Sequence, residues 1–321
     1  MPSYRGQMLS TGDLDRVAAC YELGRVVGFT STTGRGEQGR VHRLDTELGS
    51  FAVKEKVRAE TGADVAGAAA FQHAARGAGV ITPDVLRTVD GRVLLDLPAA
   101  QVRVYEWVDL AAPDAGLAPE LLGPVLAALH RIPFTGTDPE HPWYYTAVGG
   151  DRWVELHRAL TRAGAPFAAD LGGLLDDLRE VEALIRRPTT VRTCHRDLFA
   201  DNLRRRADGR LCVIDWENAG LGSPTQELAG CLIEYGLDDP DRIRRLHGCY
   251  VAAGGPARVR ESTDFTMAIA QLGHLTARAC ACWLESSGDA AEQTRMTARF
   301  AEYADRPLTV TAIAATLEAI G

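Results

Sequence analysis

The sequence of 321 residues contains no long apolar segment. No stretch approaches the roughly 18 uninterrupted apolar residues that a transmembrane helix needs, so we expect no membrane span and no membrane partner. The first residues, MPSYRGQMLSTGDLDR, also lack the apolar core of a signal peptide. We therefore expect a globular protein of the cytoplasm.

Positive charge is in short supply. The chain has 35 lysines and arginines against 43 aspartates and glutamates, which gives a formal net charge of −8. An acidic balance argues against a nucleic-acid partner, because the phosphate backbone is itself negative. It suits neutral or positively charged ligands.

Paired cysteines are missing as well. The seven cysteines are odd in number and include no CxxC pair of the kind that binds metals. We expect most of them to be buried free thiols, as in other cytoplasmic proteins.

The hydrophobic pattern divides the chain into a β-rich and a helical part. Alternation predicts five strands, and 3.6-residue spacing predicts the helices around them. The β-rich part contains a helix at 13–23, strands at 25–33, 40–48 and 50–57, a helix at 62–76, and strands at 92–97 and 101–108. The rest is mainly helical (119–132, 151–163, 168–186 and most of the C-terminal third), with β-like patches at 191–193 and 211–216.

One group of polar residues points to chemistry. Residues 195–202 read HRDLFADN, and VIDW follows, so that Asp197 precedes Asn202 by five positions and Asp215 by 18. Phosphoryl transfer needs such a set: one carboxylate accepts the hydroxyl proton, while an amide oxygen and a second carboxylate hold Mg²⁺. The alternative is an Asx-rich turn before a strand.

Lysine is nearly absent, and its positions are informative. The chain contains only Lys54 and Lys56, both in the third predicted strand. Lys54 ends the sequence FAVK, which matches the VAIK pattern of a lysine that binds the nucleotide phosphates. The alternative is an exposed strand charge, since Lys56 points to the same face. We select Lys54 because of the FAVK match.

These motifs together resemble the aminoglycoside phosphotransferase family, a group of protein-kinase-like small-molecule kinases. The resemblance covers about residues 20–235. Only eight residues separate Asp215 from Pro224, which leaves no room for the activation segment of protein kinases. The matching segments are AVK (52–54), GVITPDVL (79–86), VYEWV (104–108), VLAALHRIP (125–133), HRDLFADN (195–202), VIDWENAGLGSP (213–224) and ELA (227–229).

The resemblance implies an α+β, two-lobed, protein-kinase-like fold. A small five-stranded antiparallel lobe over residues 1–107 would bind the nucleotide. A larger, mainly helical lobe over 108–321 would carry the catalytic loop and the acceptor site.

The resemblance also assigns roles to the site residues. Asp197 resembles the catalytic base, Asn202 and Asp215 resemble the Mg²⁺ ligands, and Lys54 resembles the lysine that binds the ATP phosphates. His195 would brace the catalytic loop rather than react.

For the nucleotide, VYEWV resembles the hinge. The Glu106 carbonyl and the Val108 amide would meet the adenine edge, with Tyr105 at the gatekeeper position. The turn GRGEQG resembles the loop that covers the nucleotide, and its glycines are Gly34, Gly36 and Gly39.

The chain departs from the family pattern at several positions. Arg196 stands between the histidine and the aspartate, where the family often has glycine. The helix that should supply a glutamate for Lys54 has Gly67 or Ala68 at that position, and Asp64 and Glu60 are the possible substitutes. Ser223 and Glu227 also replace aspartates that are commonly structural.

The acceptor site is less defined. Acidic residues could bind a positively charged acceptor, although solvated helix faces are the better explanation for any single one: Glu234, Asp238, Asp239, Glu261, Asp264 and Glu285. Aromatic residues could stack on a sugar ring, although core packing is the better explanation for each: Trp143, Tyr144, Tyr145 and Trp283.

The resemblance therefore implies transfer of phosphate from ATP, with Mg²⁺, to a hydroxyl group of a small molecule. An aminoglycoside-type antibiotic is the first acceptor class. The alternatives are a metabolic kinase for an amino alcohol, a sugar or an amino acid, and a nucleotide-binding pseudoenzyme, which the missing helix glutamate suggests.

Overall fold

The structure is a computed structural model that describes residues 9–35, 39–56, 62–98, 100–134, 136 and 141–321, with the backbone alone at 32–35 and 62–64. Its strands are β1 (Val26–Arg35), β2 (Gly39–Thr46), β3 (Gly49–Lys56), β4 (Leu94–Asp96), β5 (Gln101–Glu106), β6 (Arg192–Cys194), β7 (Leu203–Arg205), β8 (Leu211–Val213) and β9 (Gly220–Gly222). Its helices are α1 (Thr11–Cys20), α2 (Gly62–Gly77), α3 (Pro119–Arg131), α4 (Gly150–Ala163), α5 (Ala168–Glu182), α6 (Pro224–Gly236), α7 (Pro240–Ala252), α8 (Thr266–Glu285), α9 (Ala290–Ala304) and α10 (Val310–Ile320). Short 3₁₀ turns lie at Pro142–Tyr144, Trp216–Asn218 and Ser262–Phe265.

The first five strands form one antiparallel sheet in the order β1-β2-β3-β5-β4. This confirms the predicted five-stranded antiparallel sheet. Strand β3 pairs with β2 on one side and with β5 on the other. Lys54 therefore has Val41 and Arg103 as its neighbours across the two ladders.

One face of this sheet is apolar. Successive residues of a strand point to opposite faces, and the residues on this face include Leu44, Val53 and Val104. They form a buried cluster with Leu14 and Val17 of α1. Helix α1 begins with a capping box in which the Ser10 hydroxyl and the Asp13 carboxylate satisfy each other's backbone amides.

The opposite face of the same sheet is charged. Lys54 and Lys56 alternate with the residues of the apolar face along β3, and Arg103 lies across from Lys54 on β5. All three are buried, with 8%, 2% and 3% of their surface exposed. Buried charges need partners of opposite sign, so this face requires carboxylates from another part of the chain.

The chain divides into two compact units. The first comprises Met1–Asp114, Ile132–Asp138 and Phe199–Gly220, and the second Ala115–Arg131, Pro139–Leu198 and Leu221–Gly321. The five-stranded sheet and the β7–β8 hairpin thus belong to the same unit.

The second unit is mainly helical, as predicted. One apolar cluster of this unit joins α4, α5, α8 and α9. Trp153, Leu156 and Leu160 lie on one face of α4, at helical spacing, and all three are buried. Trp283 of α8 and Phe300 of α9 complete this core.

Two expectations from composition can be compared with the structure. Within the described residues, no helix combines the length and the apolar character needed to cross a membrane. All seven cysteines are free thiols, and Cys194, Cys212, Cys231 and Cys280 are buried, as predicted.

Candidate active site

Lys54 reaches from the centre of the sheet to two carboxylates. Its Nζ lies 2.8 Å from Asp215 Oδ1 and 3.1 Å from Glu217 Oε2. Burial acts to lower the pKa of Lys54, but the negative charges of Asp215 and Glu217 outweigh burial and raise it well above its ordinary value. The ammonium group is therefore held charged inside the first unit.

Asp215 is positioned by the β7–β8 hairpin. It comes two residues after β8 and has a left-handed backbone, with φ 59° and ψ 61°. Aspartate tolerates this conformation better than most residues. The turn directs the chain from the strand into the 3₁₀ turn at Trp216–Asn218.

Asn202 lies at the same end of this hairpin. It precedes β7 directly, and its carbonyl oxygen accepts a hydrogen bond of 2.9 Å from the Ile214 amide. The structure thus brings three predicted residues together in the first unit. Lys54 pairs with Asp215, and Asn202 is hydrogen-bonded to Ile214, the residue before Asp215. Amide and carboxylate oxygens are hard ligands of the kind Mg²⁺ prefers, so Asn202 and Asp215 fit the predicted metal.

Glu217 was not predicted, although it is the carboxylate that contacts both lysines of the cluster. Its side chain is 1% exposed; Oε2 pairs with both lysines, and Oε1 lies 3.6 Å from Arg103 Nη1. Burial acts to raise the pKa of Glu217, but the charges of Lys54, Lys56 and Arg103 lower it to about 2. The sequence did contain one signal for such a residue. Two lysines in a strand that is predicted to be buried need a carboxylate as their partner.

The residue between the two carboxylates anchors them. Trp216 is buried, and its indole N–H donates to Thr82 Oγ1 at 2.9 Å and to the Val213 carbonyl at 3.2 Å. Its ring meets Phe71 of α2 edge-on, with 5.5 Å between centroids. These contacts fix the backbone from which Glu217 projects.

The glutamate that the family pattern places on this helix has no equivalent on α2 among the described side chains near that position. Gly67 and Ala68 lie within the helix, and Ala68 is buried. Glu60 and the side chain of Asp64, the two possible substitutes, lie outside the described part. In the described structure the second carboxylate of Lys54 is Glu217.

The predicted hinge follows β5. Glu106 ends that strand, and its half-exposed carboxylate accepts hydrogen bonds of 3.2 Å from Arg76 Nη1 and from the Asp84 amide. Val108 follows in irregular structure and is partly buried. Burial and the charge of Glu217 raise the pKa of Tyr105 to about 12.

The glycine-rich turn joins β1 and β2. The backbone of Gly34 belongs to β1, whose ladder with β2 closes at the pair Arg35 and Arg40. Gly36 lies outside the described residues. Gly39 begins β2, and a Cβ there would overlap the carbonyl oxygen of Glu55, so this close approach of strands requires glycine.

The predicted catalytic loop is described with the second unit. His195 is buried and Asp197 is partly exposed. Between them, Arg196 has φ 64°, a conformation that favours glycine. This backbone geometry accounts for the glycine that the family often has at this position.

Arg196 is held in this conformation from several sides. Its amide donates to Glu227 Oε1, and its carbonyl oxygen accepts 2.7 Å from Gln271 Nε2. Its guanidinium donates to the Leu221 carbonyl at 3.2 Å and lies 4.3 Å from the centre of the Tyr144 ring.

Behind this loop lies a buried polar chain centred on Glu227. Burial acts to raise the pKa of this carboxyl, but the hydrogen bond and charge of His130 lower it overall. His130 Nε2 lies 2.9 Å from Glu227 Oε2, and its Nδ1 lies 2.9 Å from the Tyr250 hydroxyl. Ser223 caps the N-terminus of α6. Both residues that replace family aspartates thus have structural contacts.

The aromatic candidates for the acceptor site separate into buried and accessible ones. Tyr144 is buried beneath Arg196, and Trp283 is buried in the helical core. Trp143 is partly exposed and stacks on His274 with 4.6 Å between ring centres. Tyr145 is partly exposed beside the guanidinium of Arg187.

Several of the acidic candidates have structural roles. Asp239 caps α7, Glu261 and Asp264 form a capping box, and Asp238 pairs with Arg306 at 3.0 Å. Glu234 is partly buried on α6, and Glu285 is exposed at the end of α8. These contacts favour the structural explanation for Asp239, Glu261 and Asp264.

Comparison with known proteins gives a family and a fold. The sequence profile of the phosphotransferase enzyme family (APH) matches residues 33–262, which is more than half of the chain. No protein of curated function matches the chain by sequence.

Many solved structures share the fold, among them the following three. Spectinomycin phosphotransferase in complex with ADP and spectinomycin is 16% identical, covers 97% of this chain and 99% of its own, and has a TM-score of 0.69. An aminoglycoside phosphotransferase from Alicyclobacillus acidocaldarius is 17% identical over 98% of both chains, with a TM-score of 0.64. A choline/ethanolamine kinase family protein from Mesorhizobium loti is 17% identical over 97% of this chain and 100% of its own, with a TM-score of 0.57. At these identities the similarity shows the fold, and the predicted kinase-like fold is confirmed.

Proposed function

Because the chain belongs to the phosphotransferase enzyme family, as its motifs predicted, we propose that it transfers the γ-phosphoryl group of ATP to a hydroxyl group of a small molecule. Membership confirms that the chain is a small-molecule phosphotransferase. What we propose beyond this is the phosphate donor, ATP, the metal, Mg²⁺, and the class of acceptor.

The observation that carries the proposal is the ion pair of Lys54 with Asp215, 2.8 Å long. A lysine at the centre of a sheet and an aspartate 161 positions later meet in one place. Loose phosphoryl-transfer transition states need little covalent chemistry from the protein, so positioning and charge neutralisation do most of the work. Lys54 would bind the α- and β-phosphates, and the Glu106 carbonyl and Val108 amide would meet the adenine.

Asp197 is the proposed base. The acceptor oxygen forms a bond to the γ-phosphorus while the bond from that phosphorus to the β-bridging oxygen breaks, and ADP leaves. The hydroxyl proton passes to the Asp197 carboxylate, which also orients the attacking oxygen. Asn202 and Asp215 would hold Mg²⁺, which supplies neutralisation of phosphate charge when bound.

For the acceptor we propose an aminoglycoside-type antibiotic. The net charge of −8 favours positively charged ligands, and one solved structure with this fold contains spectinomycin. A metabolic acceptor such as an amino alcohol is the second candidate, since another structure with this fold belongs to the choline/ethanolamine kinase family.

The experiment incubates the purified protein with ATP, Mg²⁺ and a pool of aminoglycosides, amino alcohols, sugars and amino acids. Mass spectrometry then identifies any compound that gains one phosphate. Phosphorylation of an aminoglycoside supports the first acceptor class and indicates resistance or self-protection. Phosphorylation of a metabolite alone keeps the reaction and replaces the acceptor class.

The variant Asp197→Ala is the control for the mechanism. Loss of the base should reduce transfer by about 10²- to 10⁴-fold while ATP binding persists. Unchanged turnover would contradict the assigned role. If the wild-type protein binds ATP but phosphorylates nothing, the pseudoenzyme becomes the better description.

A further inference from the structure

We propose that Glu217 takes the place of the missing helix glutamate and positions Lys54 for the ATP phosphates. This inference rests on the proposed function, because it assumes that Lys54 binds phosphate. Glu217 is then a positioning residue that acts through the lysine, without contact to the nucleotide.

Lys54 needs a second carboxylate if Asp215 is to hold the metal. Its Nζ is shared between Asp215 Oδ1 at 2.8 Å and Glu217 Oε2 at 3.1 Å. The Asp215 side chain is 28% exposed, whereas that of Glu217 is 1% exposed. The accessible carboxylate is therefore suited to a ligand that arrives from solvent, and the buried one to a permanent structural role.

The surroundings of Glu217 argue against a role as a metal ligand. Three cations surround it: Lys54 and Lys56 contact Oε2, and Arg103 lies 3.6 Å from Oε1. A divalent cation would have to approach against these three positive charges.

The positions of Lys56 and Arg103 explain why the single carboxylate of Glu217 is enough to position Lys54. They lie on the same face of the sheet as Lys54, at i+2 on β3 and directly across on β5. Both lie beside the Glu217 carboxylate and fix its position. The carboxylate of Glu217 thus holds Lys54 in place, and the side chains of Lys56 and Arg103 on the sheet hold that carboxylate.

Glu217 also connects Lys54 to α2 by another route. Trp216 packs on Phe71 of that helix and donates to Thr82, so the backbone next to Glu217 is fixed against α2. A glutamate on the helix would tie the lysine to α2 directly. In this chain the same helix supports the lysine through Trp216.

The test compares the binding of Mg²⁺·ATP and of adenosine by calorimetry. Adenosine lacks the phosphates, so it reports the adenine pocket alone. In Glu217→Gln we expect the affinity for ATP to fall about tenfold, the low end for losing a charge-assisted hydrogen bond, with adenosine binding unchanged. Glu217→Asp retains the carboxylate and should recover part of the loss.

A double-mutant cycle with Lys54→Met identifies the route. If Glu217 acts through the lysine, adding Glu217→Gln to Lys54→Met should cause no further loss of ATP affinity. A full additional loss would overturn the proposal and favour an independent role at the metal.

Glu55→Gln is the matched control. Glu55 is another buried carboxylate of β3, on the opposite face of the sheet, and pairs with His42 at 3.2 Å. Its variant should keep the ratio of ATP to adenosine affinity. An equal loss of both ligands in Glu217→Gln, or an unchanged ATP affinity, would overturn the proposal. If the wild-type protein binds adenosine and ATP equally, the proposed function fails together with the inference.

Discussion

Two residues of the motif segments other than glycine have left-handed backbones. Asp215 has φ 59° and Arg196 has φ 64°. For residues other than glycine, asparagine and aspartate, this conformation costs about 1–2 kcal/mol. Arg196 can bear that cost because its amide, its carbonyl and its guanidinium all have partners.

The strain at Arg196 can be measured with two substitutions that both remove the side chain. Arg196→Gly and Arg196→Ala lose the same contacts with Leu221 and Tyr144, but only glycine adopts φ 64° without strain. We expect the glycine variant to be more stable by about 1 kcal/mol. Urea unfolding of the two variants measures the difference, and equal stability would show that the backbone relaxes in the alanine variant.

At the scale of elements, Glu227 connects α6 with α3 and with the loop that carries Asp197. It accepts from His130 of α3 and from the Arg196 amide. On its other side, His130 Nδ1 lies 2.9 Å from the Tyr250 hydroxyl. The hydroxyl in turn accepts from the Ala257 amide at 2.9 Å.

Removing the carboxylate should disturb the whole chain of bonds. We expect Glu227→Ala to lower the free energy of unfolding by about 3 kcal/mol, as for a broken buried pair. Glu155→Ala is a suitable control, since that side chain is 65% exposed and should change stability by less than about 0.5 kcal/mol. Similar effects in the two variants, measured by urea unfolding, would contradict the assigned role of Glu227.

The elements themselves could be predicted well from the sequence. The strands and helices of the sheet region follow the periodicity of apolar residues, because each buries one face against a neighbour. The ion pair of Lys54 with Asp215 matches the roles that the motifs implied. Those roles in catalysis, and the hinge at Glu106 and Val108, stay predictions.

Glu217 could not be assigned from the sequence, because its partner Lys56 lies 161 positions away along the chain. Only the sheet register places both lysines and Arg103 on one face, and only the turn after Asp215 directs a carboxylate toward them. Local patterns contain neither fact. The departure at the helix glutamate indicated that a partner was missing without showing which residue replaces it.

At the scale of the whole molecule, stability should depend on pH through a partly buried histidine of α8. Burial lowers the pKa of His274, although its hydrogen bond to the Thr146 carbonyl, 2.9 Å long, and the charge of Glu182 oppose the shift. The unfolded chain therefore takes up the proton more readily than the folded one. The associated stability is present above the ordinary histidine pKa of about 6.5 and is lost as the pH falls below it.

The variant His274→Gln tests this contribution. It removes the stacking on Trp143 at every pH, so the difference at pH 7.5 measures the packing alone. We expect the free energy of unfolding to fall less between pH 7.5 and pH 5.5 in the variant than in the wild-type protein. Urea unfolding at both values measures this, and an identical pH dependence would contradict the assignment.

The scarcity of lysine has a consequence for chemical reactivity. The chain has only two ε-amino groups, and both are buried and ion-paired on one face of one sheet. Reagents that acylate amines therefore meet no exposed lysine on the folded protein, whose surface cations are arginines. The rate of lysine acylation therefore measures how often that face opens to solvent. A ligand that keeps the face closed should lower this rate.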